Sequence, residues 1–111
     1  MPETITLAEL KTRMDDGEEL MLVDALSPAH YENSHLPGAV NLPYEFVDEV
    51  EKVLPDKDAE IVVYCMNPEC VASSEEAREL EEMGYTNVTH FAEGKQAWIE
   101  AALPVEGKRK S

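Results

Sequence analysis

Little in this chain points to an outer compartment or a polyanionic partner. Only two cysteines occur among 111 residues, too few for the multi-bridge framework of small secreted domains. No apolar run approaches the roughly 18 to 20 residues that a membrane span requires. The start, MPETITLAEL, has no basic segment ahead of an apolar one, so no secretory leader is expected. These absences lead to the expectation of a soluble protein in a reducing cytoplasm. Basic residues are also scarce: nine Lys and Arg stand against 24 Asp and Glu, for a formal net charge of −15. A field of that sign repels phosphate backbones and anionic headgroups, which excludes nucleic acid and membrane surfaces as expected partners. Hydrophobic residues still make up 43% of the chain. That suits one modest core and one domain over 1–111, with its core at about 4–107.

Two apolar periods alternate along the chain. Short β-prone runs are LMLVD at 20–24, AVNL at 39–42, IVVY at 61–64 and NVTHF at 87–91, with 4–6 a weaker fifth. Helical spacing lies between them. Thr6 with Glu9 forms a capping-box pattern opening a helix over 7–14, and Ser27 before Pro28 opens a short one to about 33. Further helices are expected over 44–54, over 73–83 up to Gly84, and over 95–102 ahead of Pro104. Strands alternating with helices predict an α/β fold: an open, mostly parallel five-stranded sheet with helices on both faces.

In such sheets ligands bind beyond the carboxyl ends of the strands. Cys65 follows IVVY at that edge. The segment from Met66 through Asn67, Pro68, Glu69, Cys70, Val71 and Ala72 to Ser73 then leads into a helix, and it contains no Lys or Arg. A loop curling over the free N–H groups of a helix start binds anions and favours a thiolate without any cationic side chain. Cys65 is therefore the candidate nucleophile, and residues 66–73 are the candidate substrate-binding loop. The bland alternative is an inert thiol at a strand end. Cys65 and Cys70 with His30, His35 and His90 lack the close paired spacing of a zinc site, so no metal is expected.

The order of motifs resembles a known family. Asp24 after an apolar strand, His35-Leu36-Pro37-Gly38-Ala39 with Asn41 and Pro43, VVYC, Gly84-Tyr85 and Gly94 with Ala97-Trp98 together resemble the single-domain rhodanese-like sulfurtransferases. The resemblance implies that Cys65 takes a sulfane sulfur from a small donor as a persulfide and passes it to a thiol or other nucleophilic acceptor, with no cofactor. Asp24 and His35 themselves read as supporting residues, Asp24 orienting loops at the sheet's carboxyl edge and His35 bonding neighbouring backbone to fix its loop. Lys95 follows the last strand and is a cation placed to reach that edge.

Against the family pattern, Ala72 and Ser73 stand where Arg and Ser often close the cysteine loop. Leu26 stands where an Arg often follows the strand Asp, Glu93 replaces one of two glycines, and Ala102 replaces a glycine before Leu103-Pro104. Glu69 adds a negative charge to the loop, which disfavours a dianionic donor such as thiosulfate. Cys70 is open to two readings. It is either a resolving thiol that attacks a Cys65 persulfide, or a small apolar plug in a lengthened loop. Two other functions stay open at this point: a non-catalytic rhodanese-like binding or regulatory module, and a thiol redox protein built on Cys65 and Cys70.

Overall fold

Five parallel strands form the sheet of the computed structural model, which describes residues 3–67 and 69–107. They are β1 (Glu3–Thr4), β2 (Met21–Asp24), β3 (Val40–Asn41), β4 (Ile61–Tyr64) and β5 (Val88–Phe91), in the spatial order β1-β5-β4-β2-β3. The buried centre is β4, whose Ile-Val-Val-Tyr run is covered on both faces, the pattern that an interior parallel strand requires. It pairs with β2 through Met21 to Ile61 and Asp24 to Tyr64, and with β5 through Ile61 to Val88 and Tyr64 to Phe91. The edge strands β1 and β3 are two residues long, which leaves little exposed ladder.

Helices cover both faces as the alternation of apolar runs predicts: α1 (Leu7–Asp15), α2 (Pro28–Asn33), α3 (Val50–Val53), α4 (Ala72–Glu82) and α5 (Gly94–Glu100). The capping box at α1 forms, with the Thr6 side chain accepting from the Glu9 N–H and the Glu9 carboxylate accepting from the Thr6 N–H. On one face Val23, Ile61 and Val63 pack with Val50, Ala77 and Leu80. On the other, Leu22, Val62, Tyr64 and Phe91 pack with Leu10 and Trp98. The Trp98 indole also donates to the Pro104 carbonyl at 2.7 Å, so the largest buried side chain satisfies its one polar atom.

Residues 44–54 depart from the expected helix. They form a 3₁₀ segment (Tyr44–Glu49) followed by the single turn α3, with Phe46 at φ −110° and ψ 18° between helical neighbours. Val47 and Val50 are the buried anchors here. Their spacing of three fits the tighter 3₁₀ turn, which eclipses positions i and i+3.

Past α5 the chain turns at Ala102, which has φ 60° and is exposed. A left-handed backbone costs an L-residue roughly 1–2 kcal/mol, and an exposed Cβ returns no packing energy. Replacing Ala102 by Gly is therefore expected to raise unfolding stability by about 0.5–1 kcal/mol after the added glycine entropy is subtracted. Urea unfolding monitored by Trp98 fluorescence measures this, and an unchanged or lower midpoint would show that the turn is not strained.

Candidate active site

Cys65 leaves the end of the central strand at the carboxyl edge of the sheet and is 1% exposed. The first two carbonyls of its loop are fixed by the start of α5: the Lys95 N–H donates to Cys65 O at 2.9 Å and the Gln96 N–H to Met66 O at 2.8 Å. This docking requires Gly94. A Cβ there would lie 2.7 Å from the Met66 carbonyl carbon and 2.8 Å from the Asn67 nitrogen, and the residue has φ 78°, so glycine alone fits.

Cys70 is partly exposed and is joined to Cys65 by a disulfide, with the Cα atoms 6.2 Å apart. Asn67 closes the turn between them. Its Oδ1 accepts from the N–H groups of Glu69 and Cys70 at 3.1 and 3.2 Å, and its carbonyl accepts from Cys70 at 3.1 Å. Two of the loop amides expected to face an anion are thus turned to Asn67 while the disulfide is closed. Glu69 and Val71 are exposed, and Ala72 is half-buried. Pro68 lies outside the described residues. Helix α4 opens at Val71 without a side-chain cap, which leaves its positive dipole end beside the loop. Ser73 is buried, and its Oγ lies 2.8 Å from His90 Nε2 rather than over the loop.

The supporting residues gather at the same edge. Asp24 is fully buried; its Oδ1 accepts from the Leu26 N–H at 2.8 Å and its Oδ2 from the Tyr64 hydroxyl at 2.9 Å. Burial pushes its carboxyl above the usual carboxylate range, against the pull of those hydrogen bonds and of Lys95. His35 stacks on Tyr31 with ring centroids 3.9 Å apart, and its Nδ1 lies 2.8 Å from the Tyr31 carbonyl oxygen. These contacts pin the segment leading to Leu36. Lys95 is placed differently from the expected cation reaching out to the loop. Its ammonium is buried and donates to the carbonyls of Ser34 at 2.8 Å and His30 at 3.2 Å. A cleft of about 260 Å³ opens alongside, lined by His30, Ser34, Met66, Lys95, Gln96 and Ile99. Another of about 230 Å³ lies at the opposite edge around Arg13, Glu60 and Asn87, too far along the strands to serve the cysteines. Among the described residues no group of three or more His, Cys, Asp and Glu is placed to hold a metal.

One residue escaped the sequence reading. Glu76 on α4 is fully buried, and neither carboxyl oxygen has a hydrogen-bond partner. The signal was its spacing: Ser73, Glu76, Ala77 and Leu80 are the buried stripe of α4, but an acidic residue in a run of acidic residues reads as solvated. Burial first, and the charge of Asp24 second, push its pKa up to about 8.

A proton held at Glu76 has a sign for stability. The unfolded carboxyl titrates near 4.5 and the folded one near 8, so between those values the native state binds the extra proton. Stability linked to this group is fully present below about 4.5, falls as pH rises, and levels off above about 8. Glu76→Gln is expected to flatten the decline in unfolding free energy between pH 5 and pH 9 by on the order of a few kcal/mol. Urea titrations at several pH values check this, and an unchanged slope would show that Glu76 ionises normally.

The comparisons with known proteins agree with this fold. The rhodanese-like domain model matches residues 6–101. A sulfurtransferase of Allochromatium vinosum is 30% identical over 105 residues, covering 95% of this chain and 95% of that protein. An HTH-type transcriptional regulator of Mycobacterium tuberculosis is 35% identical over 94% of this chain, which spans only 45% of the regulator's length. Among solved structures, a rhodanese-like domain from Anabaena sp. superposes with a TM-score of 0.84 at 26% identity, covering 96% of this chain and 80% of that one. A Bacillus halodurans protein reaches a TM-score of 0.89 at 24% identity, covering 97% and 79% of the two chains. By the match over residues 6–101 and the 30% identity along nearly the whole of the Allochromatium sulfurtransferase, the chain belongs to the rhodanese-like domain family.

Proposed function

We propose that the chain carries sulfane sulfur as a persulfide on Cys65 and passes it to a thiol or other nucleophilic acceptor. The observation that carries the reading is the position of Cys65. It stands at the carboxyl end of β4, at the head of a loop that runs into the uncapped start of α4. With the thiols reduced, the Cys65 thiolate attacks the outer sulfur of a donor. The donor's sulfur–sulfur bond breaks, and its electron pair leaves with the departing fragment. The terminal sulfur of the new persulfide is then attacked by the acceptor, and Cys65 leaves as the thiolate. The dipole end of α4 and the loop amides released by Asn67 supply the favourable field that a cationic side chain would otherwise provide. The kinship with sulfurtransferases supports this reading, and the chemistry asks for no cofactor.

The disulfide favours a second reading of the same site, in which Cys70 is a resolving thiol. A Cα separation of 6.2 Å lies inside the roughly 4.4–6.8 Å window for a bridge. Attack by Cys70 on the inner sulfur of a Cys65 persulfide would expel hydrosulfide and close that bond without an outside oxidant. A reducing cytoplasm, where dithiols reopen such a bridge, is the setting that suits this cycle. The mycobacterial regulator favours a binding or regulatory use of the domain, and sulfur uptake is the property that separates the two.

Intact mass after incubation with several sulfane donors provides that test. The reduced protein is expected to gain one sulfur atom and Cys65→Ser none; a Cys65→Ser protein that still gains sulfur would move the chemistry elsewhere. Thiosulfate is expected to be a poor donor because Glu69 meets its charge. Glu69→Gln should raise kcat/KM for thiosulfate about two- to fivefold, the range open to one exposed charge. No gain at low salt would remove that electrostatic account.

A further inference from the structure

Glu76 takes no part in the steps above, yet it is a fully buried carboxyl with both oxygens unpartnered. Such a group is tolerated in its neutral form, so it carries a proton into the interior. Two lines of geometry direct that proton and Cys65 to the same face of the sheet.

The first is the pleat of the sheet. Ile61 and Val63 pack with Ala77 and Leu80 of α4, and Ala25, whose N–H bonds to the Tyr64 carbonyl, lies in the same cluster. Alternate residues share a face, so Cys65, two positions beyond Val63, is directed to the face that α4 covers. The second is the helix itself. Ser73 reaches His90, the strand partner of Val63, and Glu76 follows one turn later on the same stripe.

The exposure of the two sulfurs then sets a direction for disulfide opening. Cys70 is partly exposed and Cys65 is sealed. An external thiolate therefore attacks Cys70, and the sulfur expelled is that of Cys65. This thiolate is born in the interior, at the head of a loop without Lys or Arg. A buried anion there needs a proton more than a solvated one does. We propose that Glu76 is the internal proton donor to Cys65 when a dithiol opens the disulfide, and the acceptor of that proton when Cys65 next serves as nucleophile.

The step balances. The dithiol's thiolate bonds to the Cys70 sulfur, the bond between the cysteines breaks, and its electron pair departs on Cys65. The Glu76 proton moves to that sulfur and leaves a carboxylate. The second thiol of the reductant then attacks the mixed disulfide and releases Cys70 as a thiolate. Both cysteines end reduced and the dithiol ends as its cyclic disulfide. The inference rests on the reading of Cys65 as the reactive thiol, but it does not require that sulfur be transferred.

The titratable groups that the pleat and the α4 stripe direct to this face are Cys65, just past β4, and His90 of β5, while Asp24 at the end of β2 is the charge that acts on Glu76. His90 is held neutral by burial, its pKa below the usual 6.5, and Cys65 does not titrate while bridged. Glu76, near 8, is thus the group expected to titrate in the disulfide form within the mildly alkaline range.

Stopped-flow reduction of the oxidised protein by dithiothreitol, from about pH 6 to about pH 10, tests this when each rate is divided by the dithiothreitol thiolate concentration. The wild-type quotient is expected to fall about tenfold as pH passes about 8, and that of Glu76→Gln to be lower and flat. A break that persists in Glu76→Gln, or a flat wild-type profile, overturns the proposal. A carboxyl-carbon NMR titration of Glu76 in the wild-type protein needs no variant: its midpoint should differ between the disulfide and dithiol forms, and identical midpoints also overturn it. Failure of sulfur uptake in the mass experiment with the Glu76 break intact would remove the sulfurtransferase reading and leave this one standing.

Discussion

The hydroxyl of Tyr64 holds the carboxyl edge of the sheet together. It donates to Asp24 Oδ2 and accepts from the Leu36 N–H at 3.1 Å. One atom therefore links the ends of β4 and β2 to the segment entering the Leu36-Pro37-Gly38 turn. Asp24 extends the knot: its carbonyl accepts from Leu42 N–H and from the Asn41 amide, which also reaches the Leu26 carbonyl. A buried ion is costly unless its hydrogen-bonding capacity is filled, and here the filling is done by the chain segments that must converge beside Cys65. Removing the hydroxyl would leave a buried carboxyl and a buried N–H without their partner, so the edge is specified by the cost of the alternatives.

Much of the frame was legible because it depends on period and punctuation. The four-residue apolar runs, the Thr6 capping box and the glycine after α4 each act within a few residues, and the strands and helices stand within a residue or two of where these signals put them. Residues 44–54 were harder, since an apolar spacing of three is shared by α and 3₁₀ turns. Cys65 was visible as a thiol at a strand end, and its place at the carboxyl edge follows from the parallel order. The fates of Lys95 and Glu76 were not visible. Whether a charged side chain is spent on buried carbonyls or stranded under a sheet depends on residues about 60 positions away or on another face, and neither leaves a local trace.

Those two residues give the site its electrostatic character. Lys95, which follows the last strand, has its ammonium turned to the carbonyls of His30 in α2 and of Ser34. Positive potential at the loop therefore comes from backbone dipoles, against the buried carboxyls of Asp24 and Glu76 and the exposed one of Glu69. Backbone dipoles fall off faster with distance than a full charge does. Such a site holds an anion only when the anion sits close against the amides, and it offers little long-range attraction to a donor in a chain of net charge −15.

The contact at Gly94 makes the cysteine loop mechanically lopsided. Its Met66 shoulder is bolted to α5 by backbone touching backbone and by the Gln96 N–H. The Cys70 shoulder is held by Asn67 and by the bridge itself. When the bridge opens, the sulfur that moves is that of Cys70, swinging about Asn67, while Cys65 keeps its seat. On the proposed sulfur-carrying reading, Cys65 is thereby a fixed post and Cys70 a latch, and a bulky acceptor would approach from the side on which the latch swings clear.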